Sequence, residues 1–202
     1  MSDYPEIAAR FARETANHEM RILQDDGLYR HVAFMDTKHG DLYRFDLITW
    51  PNHLVIRGDG PNFLFAVYPT ADMLQLFRQS RHGGGINAGY WQEKALAGQI
   101  KDWSEEKFRT WVVEEAAAAE ARYPGAVEAV GKQILHSDEH NTEHRGTAEY
   151  AVASFDHGDF RLRLPDPWEE SFEDYSWEFL WACHAIVHGI ALYDAARAKA
   201  VA

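Results

Sequence analysis

The sequence has little cysteine, no long apolar run and few basic residues over 102–178, and each shortage excludes a class of protein. Cys183 is the single cysteine among 202 residues, so no internal disulfide can form, which is typical of a reducing cytoplasm. The longest mostly apolar run, Phe179 to Tyr193, is interrupted by polar residues and is too short to span a membrane. The opening residues MSDYPEIAARF lack the basic and then apolar pattern of a signal peptide. We therefore expect a cytoplasmic protein without a membrane partner.

Patterns that mark catalytic or nucleotide-binding loops are also missing. The run Gly83-Gly84-Gly85 does not lead into Gly-Lys-Ser/Thr and follows a predicted helix, so it does not match a phosphate-binding loop. No G-x-S-x-G elbow holds a nucleophile, and Cys183 lies in an apolar stretch where a thiol packs rather than reacts. The sequence predicts no catalytic residue and no cofactor, which favours a protein that is not an enzyme.

Basic residues are scarce in one part of the chain only. Residues 102–178 hold 19 Asp and Glu against 7 Lys and Arg, a balance of −12, whereas residues 1–101 balance to −1 and residues 179–202 to +1. An acidic surface repels nucleic acid, because binding to phosphates requires cations, so we predict no direct nucleic-acid partner. The same surface attracts a basic protein surface and speeds encounter with it. Solubility alone is the simpler explanation of the charge.

What the chain does have is a core. Its apolar fraction is 46%, with 7 Trp, 9 Tyr and 11 Phe, and its length fits one domain over residues 1–202. Between residues 20 and 68, short runs of aromatic and branched residues are separated by turn residues such as Asp26-Gly27 and Pro51-Asn52. We predict an antiparallel β-meander of four or five strands there.

Helical periodicity replaces this pattern on either side of the meander. We predict α-helices at Asp3–His18, capped by Asp3, and at Thr70–Arg81, capped by Thr70. The others are expected at Tyr90–Ala97, Ser104–Tyr123, Ala126–His136, Thr142–Phe155 and Tyr175–Lys199. The fold class is therefore α+β: residues 1–101 carry a helix, the meander and a further helix, and residues 102–202 form a larger, acidic, helical half.

Two histidine groups are candidate metal sites. His136, His140 and His144 are spaced four residues apart, so one continuous helix would place the three imidazoles on one face. Ser137-Asp138 and Asn141-Thr142 instead favour a helix end, a loop and a new cap, with no metal. His184 and His188 share a face of the last helix, but their apolar neighbours favour buried histidines that bond a carboxylate or carbonyl.

The stretch DPWEESFEDYSWE, residues 166–178, holds six carboxylates, four aromatic rings and no base. Carboxylates interleaved with aromatic residues suit an interface with an Arg-rich or Lys-rich surface. The alternative is an acidic first turn that offsets the dipole of the last helix. The candidate partner-binding residues are Trp168, Glu169, Glu170, Glu173, Asp174 and Tyr175.

Several stretches, HEMRILQDDGLYRHVAF, YRFDLITWPNHLVIRGDGPNFLF, INAGYWQEKA and WEFLWACHAIVHGIALYD, resemble a family of small phage- and prophage-encoded proteins of unknown function. The resemblance carries over no catalytic residue. It implies a protein that acts in the host cell on host machinery, CRISPR and other defences included. Our leading hypothesis is a non-enzymatic binding protein that inhibits or modulates a host protein through its acidic surface. A metal- or His-dependent hydrolase and a homo-oligomeric assembly protein are the alternatives.

Overall fold

The computed structural model describes residues 4–38, 40–83, 86–166 and 171–201. The chain forms two compact units. Unit 1 consists of residues 1–100 and 175–202, and unit 2 of residues 101–174. The division differs from the predicted halves 1–101 and 102–202, because the last helix packs with the N-terminal sheet. The predicted α+β class, an antiparallel sheet near the N-terminus followed by helices, is confirmed.

Unit 1 is built on a six-stranded antiparallel sheet in which every strand pairs with the next along the chain. The predicted meander is confirmed as five strands, and a short sixth strand extends it. Gly27, with a φ of 62°, makes the first hairpin turn, and Asn52, with a φ of 68°, makes the third. The strands are β1 (Glu19–Asp26), β2 (Tyr29–Asp36), β3 (Gly40–Trp50), β4 (His53–Gly58), β5 (Asn62–Ala66) and β6 (Ala95–Ala97).

The sixth strand corrects the predicted helix at Tyr90–Ala97. The helix here, α3 (Ala88–Gln92), has only five residues and begins after Asn87, whose side chain caps it by accepting from the backbone N–H of Tyr90. Trp91 is fully buried and anchors this turn in the core. The chain then becomes extended, and Ala97 pairs with Leu64 of β5. The sheet edge, rather than the helix propensity of the alanines, decides the conformation.

Three longer helices complete unit 1: α1 (Pro5–Glu14), α2 (Met73–Gly83) and α7 (Trp177–Val201). Pro5 lies in the first turn of α1, as expected, while Asp3, the predicted cap, lies outside the described residues. The predicted cap Thr70 is wrong for α2. Asp72 starts this helix instead, because its carboxylate accepts from the backbone N–H of Leu74 at 3.1 Å.

The long helix α7 lies at the centre of the unit 1 core. Residues Trp177–Ala200 are apolar and long enough to cross a membrane by length and composition, with a mean hydropathy of 1.3, and 56% of the most apolar window is buried. Phe179, Trp181 and Ile186 are fully or almost fully buried against Phe45 and the other inward-facing side chains of the sheet. This burial is that of a core helix.

Unit 2 is mainly helical and has its own core. Its helices are α4 (Glu105–Ala119), α5 (Ala126–Val130) followed by a π-helical turn (Gly131–Leu135), and α6 (Arg145–Ser154). Two short strands, β7 (Lys101–Trp103) and β8 (Glu173–Tyr175), form a second sheet at its chain ends. The predicted cap Ser104 is confirmed for α4, since its hydroxyl accepts from the backbone N–H of Lys107. Phe108, Val112 and Ile134 are almost completely buried in this core.

Candidate functional site

The candidate site is an acidic groove along the exposed face of α4. Glu106, Thr110 and Glu114 follow each other at four-residue intervals, so they lie on one side of the helix. All three are exposed. The groove encloses about 340 Å³ and is lined by Ser104, Glu106, Lys107, Thr110, Trp111, Glu114 and Asp174. We call it the α4 groove.

The charges in the α4 groove are unbalanced. Lys107 is the single cation among the described residues that line it. Its ammonium group donates to the carbonyl oxygen of Glu173 at 2.7 Å and lies 4.0 Å from the carboxylate of Asp174. Lys107 is therefore occupied at the end of the groove that β8 forms. Within the described parts of the chain, neither Glu106 nor Glu114 has a cationic partner. Two carboxylates along α4 are consequently free to meet a cation from outside.

An indole ring forms the wall beside these carboxylates. Trp111 is only partly buried, and its ring centroid lies 5.2 Å from that of Phe172 and 6.0 Å from that of Phe108. Phe108 is fully buried, so the aromatic cluster holds the indole in place. A guanidinium or ammonium group over an indole face is attracted by the ring electrons, and nearby carboxylates supply the counter-charge. The α4 groove thus has the chemistry to take up an Arg or Lys side chain.

The predicted partner-binding residues are placed differently from one another. Asp174 lines the α4 groove, while Glu173 lies 3.8 Å from Arg145 and lines a neighbouring cavity of about 350 Å³. Tyr175 packs inside unit 1, with its ring centroid 5.6 Å from that of Phe179. The other three, Trp168, Glu169 and Glu170, lie outside the described residues.

The first histidine group lies in a connection between helices, as the predicted helix end required, but the predicted new cap at Asn141-Thr142 is wrong, because His144 precedes the first residue of α6. The chain leaves its helical path at His136 and re-enters a helix only at Arg145, so the three imidazoles do not share one helical face. His136 and His140 line a cavity of about 410 Å³, and His144 precedes the first residue of α6 without lining it. Across the described ranges, no group of three or more His, Cys, Asp or Glu side chains has an arrangement that would hold a metal ion.

The second histidine group lies half-buried beside the unit 1 core. The ring of Phe11 stacks on His184 at 6.0 Å and meets His188 edge-on at 5.5 Å. Burial lowers the pKa of both imidazoles, which keeps them neutral at pH 7. Both imidazoles contact this ring, and neither forms a hydrogen bond with the expected carboxylate or carbonyl among the described residues. Cys183 beside them is fully buried, and burial raises the pKa of its thiol well above the usual range.

The sequence interpretation did not single out Glu106, Trp111 or Glu114. The sequence does contain a pattern that indicates the two carboxylates. Glu106, Thr110 and Glu114 are polar residues at four-residue spacing after the Ser104 cap, which marks the exposed side of an amphipathic helix. What the repeat cannot show is that Asp174, some sixty residues later in the chain, returns beside it through β8. No protein-family model, curated protein or solved structure matches this chain. The function therefore has to be argued from the groove itself.

Proposed function

We propose that the chain is a non-enzymatic binding protein whose α4 groove takes up an Arg or Lys side chain from a basic surface of a host protein. One observation carries this proposal: Glu106 and Glu114, two exposed carboxylates without a cationic partner among the described residues, flank the fixed indole of Trp111. The resemblance to phage-encoded proteins supports a host protein as the partner, with a defence component of the CRISPR type as one class.

The charge of unit 2 supports the same proposal. Residues 101–174 hold 18 Asp and Glu against 8 Lys and Arg, a balance of −10, while the rest of the chain contributes −2. Such a field raises the rate of encounter with a basic protein and lowers it with nucleic acid. The α4 groove would then add a defined binding position for one cation, which the overall electrostatic field of unit 2 does not provide.

The test compares two double variants with the same net charge. Glu106→Lys with Glu114→Lys reverses the α4 groove, and Glu128→Lys with Asp159→Lys reverses two exposed acids of unit 2 outside it. A fluorescein-labelled nona-arginine peptide serves as the probe, and fluorescence anisotropy gives its Kd. We expect the groove variant to bind about tenfold more weakly than the control variant, a difference of about 1.4 kcal/mol.

Salt provides the second readout. Raising the ionic strength from 0.1 M to 1 M shortens the Debye length from about 10 Å to about 3 Å, so binding to the wild type should weaken and its association rate should fall. If both double variants lose the same affinity, the acidity acts only as a diffuse field and the α4 groove is not a site. Circular dichroism melting of each variant shows whether the fold has survived the substitutions.

A further inference from the structure

A second candidate site lies in unit 1, on the face of the sheet opposite α7. Asp46 alternates along β3 with Phe45 and Leu47, which point into the core, so its side chain points to the other face. It pairs with Arg57 of β4 on one side and with Ala33 of β2 on the other. Although this is the outer face, Asp46 is only 2% exposed. A buried carboxylate requires partners for both of its oxygens.

Of the two carboxylate oxygens of Asp46, only Oδ2 has hydrogen-bond partners among the described residues. Oδ2 lies 3.1 Å from Nε2 of His31 and accepts from Nε and Nη2 of Arg57 at 3.1 and 2.8 Å. Oδ1 is buried and has no hydrogen bond from any described residue. Burial raises the pKa of Asp46, but the bonds from His31 and Arg57 outweigh it, so the pKa lies below its ordinary value and the group is charged. A charged, buried acceptor is left open.

Arg44 lies beside this open oxygen without a hydrogen bond to it. Nε of Arg44 lies 3.5 Å from Oδ1 of Asp46, which is an ion pair but too long for a good hydrogen bond. Its Nη1 lies 3.7 Å from Asp41, again beyond hydrogen-bond distance. One atom that both accepts from Arg44 and donates to Asp46 would satisfy the two groups together. A hydroxyl group does this, whereas a carbonyl oxygen only accepts and an ammonium group only donates.

These groups open into a cavity of about 250 Å³. At about 30 Å³ for each water in the liquid, that is room for several groups rather than one. Asp59 and Asn62 also line it and carry further acceptors and a donor, although Oδ2 of Asp59 already accepts from the backbone N–H of Tyr43 and Nδ2 of Asn62 already donates to the carbonyl oxygen of Gly60. Gly58 also lines it, at a point where β4 approaches β3 so closely that a Cβ atom would lie 2.0 Å from the backbone oxygen of Arg44. The wall carries both signs of charge, which favours a neutral ligand.

We propose that this cavity binds a small polyhydroxylated ligand, a single sugar ring, with one hydroxyl bridging Arg44 and Asp46. Neighbouring hydroxyls on the ring meet Asp59 and Asn62. The site is independent of the α4 groove, since all of its residues belong to unit 1. It adds a small-molecule ligand to a protein whose proposed partner is a protein.

The experiment uses the full chain and named probes. D-glucose, D-galactose, D-mannose and D-ribose are each titrated in saturation-transfer-difference NMR, with inorganic phosphate and glycine as probes for an anion or a zwitterion. We expect saturable binding of at least one sugar and none of phosphate or glycine. Arg44→Met should weaken that binding about tenfold or more, because a charge-assisted bond is lost while the His31 and Arg57 bonds to Asp46 remain.

Two further variants complete the test. Asp46→Asn removes the charged acceptor and should weaken binding at least as much, provided that it folds. Arg21→Met, which replaces an exposed arginine of β1 that does not line the cavity, should bind like the wild type. The proposal is overturned if no sugar binds saturably, if phosphate or glycine binds instead, or if Arg44→Met binds as tightly as Arg21→Met.

Discussion

Thr142 is a buried residue on which several hydrogen bonds of unit 2 converge. Its hydroxyl donates to the carboxylate of Glu105 and accepts from Nη1 of Arg109 at 3.0 Å, and its carbonyl accepts from the indole nitrogen of Trp103 at 3.0 Å. Because Thr142 is only 3% exposed, bulk water cannot replace a hydrogen bond that its side chain loses. It ties the start of α4 to the chain that precedes α6.

Replacing Thr142 by valine keeps the shape and removes the hydroxyl. We expect the free energy of unfolding to fall by about 0.5–1.5 kcal/mol, because the two hydrogen bonds of this hydroxyl, to Glu105 and from Arg109, are lost. Urea denaturation followed by circular dichroism measures the change. Thr110→Val, an exposed position on α4, is the matched control and should change stability by less than about 0.5 kcal/mol. Equal effects at the two positions would contradict the role given to Thr142.

Cys183 offers a reporter of unit 1 at the scale of one residue. It is the only cysteine, it is fully buried, and burial raises the pKa of its thiol. Because the thiolate is the reactive form, we expect Ellman's reagent to react extremely slowly with the native protein and to titrate one thiol once denaturant is added. Rapid reaction of the native protein at neutral pH would mean that unit 1 opens readily around α7.

At the scale of elements, the approach of α7 to the sheet depends on Gly189. A Cβ atom at this position would lie 2.7 Å from Cδ1 of Leu47 and 3.0 Å from Cζ of Phe34. Both side chains are in the core, and Phe34 is fully buried, so neither can move aside without disturbing its neighbours. Glycine is unfavourable inside a helix, and its presence here is explained by this close approach.

Gly189→Ala therefore sets two effects against each other. Helix propensity would stabilise the variant by up to about 1 kcal/mol, whereas overpacking costs about 1–3 kcal/mol. We expect a net loss of stability and a lower Tm. Gly146→Ala in α6 is the control, because no atom lies within 4 Å of the added methyl group, and it should be neutral or slightly stabilising. A gain of stability at Gly189 would show that the sheet can yield to the helix.

Local sequence patterns predicted some of these elements and could not predict others. The cap Ser104, the apolar positions of α4 and the alternation in β3 each act within one element. Packing against the rest of the chain does not change the structure that they predict. The strand β6 was predicted as helix because its alanines carry no β signal, and only the free edge of β5 makes the segment extended. Asp72, two residues after the predicted cap Thr70, starts α2, and its carboxylate also accepts from Arg30 of β2. That contact spans more than forty residues.

The sequence predicts the candidate site only in part. It shows the excess of acidic residues and predicts Asp174 as a partner-binding residue, but it also predicts that residues 166–178 form a single interface. The structure separates its members, with Asp174 in the α4 groove and Tyr175 in the unit 1 core. Strand alternation explains this separation, because neighbouring residues of β8 point to opposite sides. The open oxygen of Asp46 could not be predicted, since it depends on distances among three strands.

At the scale of the whole molecule, stability should depend on pH through three half-buried histidines. His18, His184 and His188 each have a pKa lowered chiefly by burial, and the charge of His188 lowers that of His18 further. In the unfolded chain the same groups take their ordinary pKa of about 6.5. The unfolded state then binds more protons below that pH, so acid favours unfolding.

The direction of this pH effect and the pH range in which it occurs follow from the lowered pKa values. Stabilisation by these neutral imidazoles is complete well above pH 6.5 and is lost as the pH falls from about 6.5 toward their lowered pKa values, with a slope of at most about 1.4 kcal/mol per pH unit for each proton. The pKa of Asp46 is also lowered, but a carboxylate loses its contribution only near and below its ordinary pKa of about 4, outside this window.

Urea denaturation at pH 7.5, 6.5 and 5.5 should therefore show a falling free energy of unfolding. His188→Gln, which removes one titrating group, should reduce the fall, whereas His144→Gln at an exposed position should leave it unchanged. If the two variants show the same pH dependence as the wild type, protons taken up elsewhere in the chain control its stability to acid, and the histidines around Phe11 serve only as packing.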